Sequence, residues 1–372
     1  MSSSTEPNSY TIHITPEQRD ALLSREHDLQ DLKQTLQPIR DVFDQYGFVL
    51  VRNLLDESLQ KRICKASETF LNNSDNGKLF TSLEFGPVFN TEETSFREVA
   101  IKSAIPALVS RVLLSDDDTD TTTLRLLKDA FMAKGKEEKH CGWHVDDQVF
   151  WPTDANSCGV NVWIALNDIP KQYGGGLAIS PKSHTAKWRE DGYKTIGSTP
   201  MLTPEGVTPE WLMKTFGRTC DIENLNKEVN DIIEASKLEL DYEAGDCLFC
   251  HRWLYHRSVP VNALGQEYYT DDTTLSRYTI RYERGNARLL KGISLEPSVL
   301  MNTDNSGKTL DEICESEPYY PQCWPPLDDG DQESRMDDIA RNILPLAQVK
   351  KSKLVKELMT QAAKTKSDAY SS

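Results

Sequence analysis

The sequence predicts a mainly β fold, a jelly-roll barrel with helices packed outside it. Three observations predict this. From about residue 125 to 290 the chain is a series of short apolar runs, at 160–166, 177–180, 247–250 and 277–282, separated by glycine turns such as Gly174-Gly175-Gly176. Short strands punctuated in this way are typical of sandwiches and barrels. Upstream, apolar residues recur at three- and four-residue spacing, the period of amphipathic helices. Finally, His144 and Asp146 stand two apart in Trp-His-Val-Asp. In an extended segment such a pair points the same way, as a site at a barrel mouth requires.

The elements follow in order. Residues 1–14 read as a flexible lead. Thr15-Pro16-Glu17-Gln18 combines a cap, a first-turn proline and a glutamine that closes a capping box, so a helix is expected from there to about 36. A second helix is expected near Pro38, with Ile39, Val42, Phe43 and Tyr46 as its apolar stripe and Gly47 as its stop. Residues 48–51 read as a buried strand. Asp56 then caps a helix with Leu59, Ile63, Ala66 and Phe70 inside. The acidic stretch 115–120 lacks the glycine and glutamate of a calcium loop and reads as solvated. A helical insertion is expected over about 205–237, with Ile222, Leu225, Val229 and Ile232 on one face, followed by a strand at 238–242. These elements divide the chain into an N-terminal lead and helix over 1–37, a barrel domain over 38–290, and a C-terminal coil and helical tail over 291–372, packed on or extending from the core.

Composition narrows the function classes. The 372 residues carry a net charge of −16 with a pI near 5.0, which argues against general nucleic-acid binding. No apolar run is long enough to span a bilayer. The first residues lack the basic and apolar regions of a secretory signal, and Asp-Ala-Tyr-Ser-Ser at the end is no peroxisomal address. A soluble cytoplasmic protein without membrane or nucleic-acid partners is expected. Cysteines at 64, 141, 158, 220, 247, 250, 314 and 323 include one C-x-x-C, but no second pair of matching spacing, so they read as reduced thiols rather than a zinc site.

His144 and Asp146 supply two thirds of a 2-His-1-carboxylate facial triad, which holds Fe(II) on one face and leaves the opposite positions open. The third ligand should be a downstream histidine on a strand that returns beside them. His256 is favoured over His251, because it lies at a strand end and His251 directly continues a buried strand. Downstream, Arg277, Thr279 and Arg281 share one strand face. An arginine there suits the far carboxylate of a cosubstrate such as 2-oxoglutarate, because its planar fork binds a carboxylate through two parallel bonds. Arg277 is favoured, Thr279 could add a hydroxyl, and Arg281 is the rival, otherwise placed at the substrate.

The order Gly47-Phe-Val-Leu-Val, Trp143-His144-Val-Asp146, Val162-Trp-Ile-Ala-Leu-Asn-Asp168, Gly175-Gly-Leu-Ala-Ile-Ser-Pro-Lys-Ser-His184, Gly245-Asp246, His256-Arg-Ser258 and Arg277 resembles the phytanoyl-CoA dioxygenase family over about 38–290. The resemblance implies a double-stranded β-helix, cupin-like core. It implies His144, Asp146 and His256 as ligands of Fe(II), and Arg277 on 2-oxoglutarate. Lys134, Asn161, Thr279 and Ser258 would lie near that cosubstrate, with Trp163 and Arg281 at the substrate. The implied reaction consumes O2 and 2-oxoglutarate, releases succinate and CO2, and hydroxylates, desaturates or cyclises a small organic substrate. An acyl-CoA 2-hydroxylase and a non-catalytic jelly-roll binding protein are the alternatives. The sequence departs from the family pattern at Val145, where glutamine is common, at Lys182, where glycine is usual, and in an acidic insertion over 266–274.

Overall fold

The computed structural model describes residues 10–343, except 26–27, 74–86, 90–92, 116–122, 138–140, 147–150, 152, 155–156, 186–221, 290–306 and 317–319, with scattered positions from 345 to 360. Thr15 caps α1 (Pro16–Leu23) with the expected capping box. That helix is shorter than expected, because α2 (Leu29–Tyr46) begins afresh at its own cap, Asp28, and runs through Pro38. A mid-helix proline removes one hydrogen bond, and here the buried stripe of Leu32, Leu36, Ile39, Val42, Phe43 and Tyr46 outweighs that loss. Gly47 ends α2 at φ +81, and a side chain there would meet the His184 ring. The expected flexible lead is in part a strand: β1 (Thr11–His13) pairs with β2 (Phe48–Arg52). In α3 (Glu57–Asn73), Leu59, Ile63 and Ala66 are buried as expected, and the Phe70 side chain lies outside the described residues, as do the acidic loop and residues 205–221.

The remaining strands are β3 (Leu124–Lys134), β4 (Gly159–Ala165), β5 (Leu177–Ile179), β6 (Leu238–Glu239), β7 (Cys247–His251), β8 (His256–Ser258), β9 (Leu275–Arg284) and β10 (Gln322–Trp324). The large sheet has the order β1-β2-β7-β4-β9-β3-β10, and the small sheet β6-β5-β8. An antiparallel bridge between His144 and His256 extends the small sheet beyond β8. Along the chain, strands alternate between the sheets: β3 large, the His144 bridge small, β4 large, β5 and β6 small, β7 large, β8 small, β9 large. That winding is a double-stranded β-helix, the jelly-roll core expected from the sequence. The coil after 290 contributes β10 at one edge, which the sequence did not suggest.

Strand periodicity gives each sheet an inside and an outside. On β9, Tyr278 and Tyr282 face outward: the Tyr282 hydroxyl donates to the Ala100 carbonyl, and the Tyr278 hydroxyl, which donates to Asp129, lies 3.4 Å from the Phe96 carbonyl, both carbonyls belonging to the helical segment over residues 95–113. Arg277, Thr279 and Arg281 occupy the opposite face, towards the barrel interior. Asn161 and Trp163 share that face, since their partners across the β4–β9 ladder are Arg281 and Thr279. Each outward aliphatic residue buried under the helices, such as Val162 or Ile280, contributes roughly 2 kcal/mol.

The insertion ends in a helical turn (Ile222–Leu225) and α4 (Lys227–Ala235). The cap at Asn226 resets the helical phase, so Ile222 and Ile233 are buried while Ile232 is 47% exposed, which corrects the expected stripe. The strand expected at 238–242 shortens to β6, and Tyr242 makes only an isolated bridge to Ile169. After β8 come α5 (Ala263–Tyr268), α6 (Leu310–Ser316) and α7 (Asp329–Asp338). Cys64, Cys158, Cys247, Cys250 and Cys323 are free thiols, as expected, whereas Cys141 is disulfide-bonded, against the expectation of reduced thiols throughout. No helix among the described residues is long and apolar enough to cross a membrane.

Asp129 is a buried carboxyl on the outer face of β3. One oxygen accepts from the Val88 amide (2.8 Å) and the Tyr278 hydroxyl (2.7 Å), and the other has no partner. Burial pushes its pKa from 3.8 up to about 7, against the pull of those bonds. A folded-state pKa above the unfolded one gives stability that is complete below pH 3.8 and lost as pH rises through 7. Wild type should therefore lose up to about 1.4 kcal/mol per pH unit, relative to Asp129→Asn, across that window. Chemical denaturation of both proteins from pH 4.5 to 7.5 checks this, and a stability difference that stays flat with pH would refute it.

Candidate metal centre

His144 and His256 are backbone partners before they are side-chain partners. Each amide donates to the other's carbonyl at 3.0 Å, which sets the two rings on the same inner side of the small sheet, 4.4 Å apart between centroids. Asp146 lies two residues on and points the same way. The ligating atoms of His144, Asp146 and His256 all lie within 4.8 Å of one another, the only such cluster among the described residues. Asp146 Oδ1 is 3.5 Å from His144 Nε2 and 3.7 Å from His256 Nε2.

Local hydrogen bonds fix the tautomers. His144 Nδ1 lies 2.8 Å from the Gly142 carbonyl, and His256 Nδ1 lies 3.0 Å from the Leu254 carbonyl. A carbonyl only accepts, so in each neutral ring Nδ1 carries the proton and the Nε2 lone pair faces the cluster. Burial, aided by the neighbouring His144, pushes the His256 pKa down to about 4, so this ring is neutral near pH 7. Burial alone would raise Asp146, but the Arg281 guanidinium beside it outweighs this and holds the carboxyl well below its usual range. Two imidazole lone pairs and one ionised oxygen form the donor set of a facial triad.

The second oxygen of Asp146 is held from the large sheet. Arg281 donates to Oδ2 at 2.8 Å and Asn161 Nδ2 donates at 2.6 Å. The sequence reading put Asn161 at the cosubstrate and Arg281 at the substrate. Both stand against Asp146 because they face each other in the β4–β9 register. The second oxygen is thereby engaged, and Oδ1 is left facing the histidines.

Deeper along β9, Arg277 is 2% exposed, with its guanidinium 5.9 Å from the Trp163 ring centre and donating to the Gly175 carbonyl at 3.4 Å. Tyr242 packs against Trp163, with centroids 4.6 Å apart. Trp163 Nε1 and the Tyr242 hydroxyl are buried donors without a hydrogen-bond partner. Unsatisfied buried donors are rare in folded proteins, and beside an arginine they suit an acidic guest. Thr279 shares this inner face, and its hydroxyl donates to the Ala130 carbonyl at 3.3 Å. Lys134 stands opposite Leu275 on the same face, and Ser258 lies two residues after His256 and so points inward with it. His251 is on the other side of its sheet, 6.2 Å from the Phe43 ring and 3.5 Å from Cys158 Sγ, and takes no part in the cluster. His27 and His140 lie outside the described residues.

Sequence reasoning missed Tyr242 and Glu234. Tyr242 sits four residues before Asp246 with no local signal to mark it. Glu234 was one acid in a helical insertion, yet it accepts from Trp143 Nε1 at 2.8 Å and from Arg257 at 2.9 and 3.0 Å.

No curated protein matches the chain. Among solved structures, it is similar to the epimerase SnoN in complex with Fe3+, alpha ketoglutarate and nogalamycin RO, at 18% identity and TM-score 0.46, over 69% of this chain and 86% of that one. It is similar also to SnoK, a non-heme alpha ketoglutarate dependent carbocyclase from nogalamycin biosynthesis, at 16% identity and TM-score 0.47, over 73% of this chain and 89% of that one. A third is EctD from S. alaskensis with 2-oxoglutarate and 5-hydroxyectoine, at 14% identity and TM-score 0.44, over 68% and 77%. The model of the phytanoyl-CoA dioxygenase family matches residues 43–263, more than half of the sequence, and the chain belongs to that family of Fe(II)/2-oxoglutarate-dependent oxygenases.

Proposed function

We propose that this protein is a dioxygenase that oxidises a small organic substrate, with His144, Asp146 and His256 holding Fe(II) and Arg277 holding the far carboxylate of 2-oxoglutarate. The observation that carries the reading is the convergence of two tautomer-fixed Nε2 atoms and one carboxylate oxygen. When bound, the iron supplies the centre at which O2 oxidatively decarboxylates 2-oxoglutarate to succinate and CO2 while the substrate is oxidised.

The chain's own residues do the rest. The Gly142 and Leu254 carbonyls keep the proton on Nδ1 of each histidine, so no proton need leave a ring for it to ligate. Arg281 and Asn161 fix the Asp146 carboxylate in one rotamer and turn Oδ1 towards the metal position. At the base, Arg277 offers a charged fork, with the Trp163 and Tyr242 donors beside it to complete the cradle for a carboxylate. Thr279 lies between these two points on the same strand face, Lys134 stands beyond Arg277 opposite Leu275, and Ser258 belongs to the small sheet. The iron-coordinating strand is backed by Trp143, Val145, Trp253 and Tyr255, a buried apolar layer that keeps water from the rear of the centre.

Anaerobic titration with Fe(II) and then 2-oxoglutarate tests the reading through the weak visible charge-transfer band of the chelate. The band is expected in wild type and in His251→Ala, and absent in His256→Ala. Its absence from wild type would sink the proposal, and its survival in His256→Ala would displace His256 as a ligand.

A further inference from the structure

Glu234 is tied to the neighbours of both candidate histidine ligands. It lies in the last turn of α4, on the outer side of the small sheet. Its Oε2 accepts from Trp143 Nε1 at 2.8 Å and Arg257 Nε at 3.0 Å, and its Oε1 accepts from Arg257 at 2.9 Å and Lys237 Nζ at 2.8 Å. Trp143 directly precedes His144, and Arg257 directly follows His256. Because successive strand residues face opposite ways, the histidines point inward while Trp143 and Arg257 point out to the same carboxylate. The Arg257 guanidinium also stands 5.3 Å from the Trp143 ring centre, so the two outward side chains are held to each other as well. The two ligand segments meet through the His144–His256 bridge and one further backbone bond, from the Ser258 amide to the Cys141 carbonyl, and a one-residue slip there would turn a histidine away from the centre. Beneath the carboxylate, Ile233 seats α4 in the apolar layer of Trp143, Val145 and Tyr255.

We infer that Glu234 is a positioning residue for the metal centre: its carboxylate clamps the His144 and His256 segments in register from behind, making α4 part of the iron site. This rests on the proposed iron reading. The carboxylate touches neither metal nor substrate, and it acts by limiting how far the two Nε2 atoms can drift apart.

The test is the Fe(II) dissociation constant, measured anaerobically by competition with a chromogenic chelator, together with the thermal midpoint of the metal-free protein. The proteins are wild type, Glu234→Ala, Glu234→Gln and Ile233→Ala. Glu234→Ala should weaken Fe(II) binding by about 10- to 100-fold, the range for groups that orient a ligand without touching the metal. Glu234→Gln keeps one acceptor oxygen and should fall between alanine and wild type, and it carries the test if the alanine variant does not fold. Ile233→Ala should lower the midpoint by loosening α4 but leave the dissociation constant within about twofold, because the clamp remains. If Glu234→Ala and Glu234→Gln lower only the midpoint and bind Fe(II) like wild type, the clamp is wrong while the iron reading stands. If wild type itself binds no Fe(II), the iron reading fails and the clamp with it.

Discussion

Asp146→Ala should lose Fe(II) binding by more than about 100-fold and also lose roughly 3 kcal/mol of metal-free stability, two separate effects of one deletion. The first follows from removing one of three donors. The second follows from Arg281, which is 6% exposed and ion-paired with Asp146 at 2.8 Å. Taking away the carboxylate leaves the guanidinium buried without that counter-charge, and breaking a buried pair from one side costs far more than the net value of the pair. Asp146→Asn separates the effects. Its amide oxygen can still accept from Arg281 and Asn161, and its NH2 can donate to the histidine lone pairs. The counter-charge is still lost but these hydrogen bonds remain, so stability should fall by less than in Asp146→Ala while iron affinity is still lost. Chelator competition and urea denaturation of the metal-free proteins measure the two quantities. An Asp146→Asn protein that binds Fe(II) as tightly as wild type would remove Asp146 from the ligand set.

Arg277→Ala should raise the KM for 2-oxoglutarate by about 100-fold, with Fe(II) affinity unchanged. A charge-assisted hydrogen bond contributes about 1.5–3 kcal/mol, and each 1.4 kcal/mol is tenfold in affinity. Arg277 is buried at the base of the barrel, away from the three candidate ligands, so the metal should not sense its loss. Arg277→Lys keeps the charge but not the planar fork, and should recover only about tenfold of the loss. Tyr242→Phe should cost a few-fold, since it removes one neutral donor from the same cradle. The concentration of 2-oxoglutarate that half-develops the anaerobic charge-transfer band reads all three variants directly. A half-saturation unchanged in Arg277→Ala would place the far carboxylate elsewhere, with Lys134 next to be tested.

The legible parts of this protein are those written in short-range patterns. A capping box, a glycine stop and a period of 3.6 located the starts and stops of several helices, because those signals act within one or two turns. Alternation along strands placed His144 with Asp146, and Arg277 with Thr279 and Arg281, on shared faces, because the pleat repeats every second residue. Membership of an oxygenase family was likewise readable as an ordered set of short motifs.

What the pattern could not supply was which faces meet. Asn161 and Arg281 are 120 positions apart in sequence, and only the β4–β9 register brings both to one oxygen of Asp146. His251 and His256 look alike in sequence, yet one lies under α2 and the other in the bridge to His144. Tyr242 and Glu234 carry no local mark at all. One gains its place beside Trp163 from a single bridge to Ile169, the other from a helix laid across the back of the small sheet. The edge strands β1 and β10 were read as lead and coil, because three-residue strands have no period to detect and exist only where a longer strand offers its free edge. Local propensity and periodicity are properties of neighbouring residues, so the sequence alone determined the class of fold and the candidate donor set. The hydrogen-bonded setting of each donor depends on pairing between distant segments, and that only the tertiary structure decided.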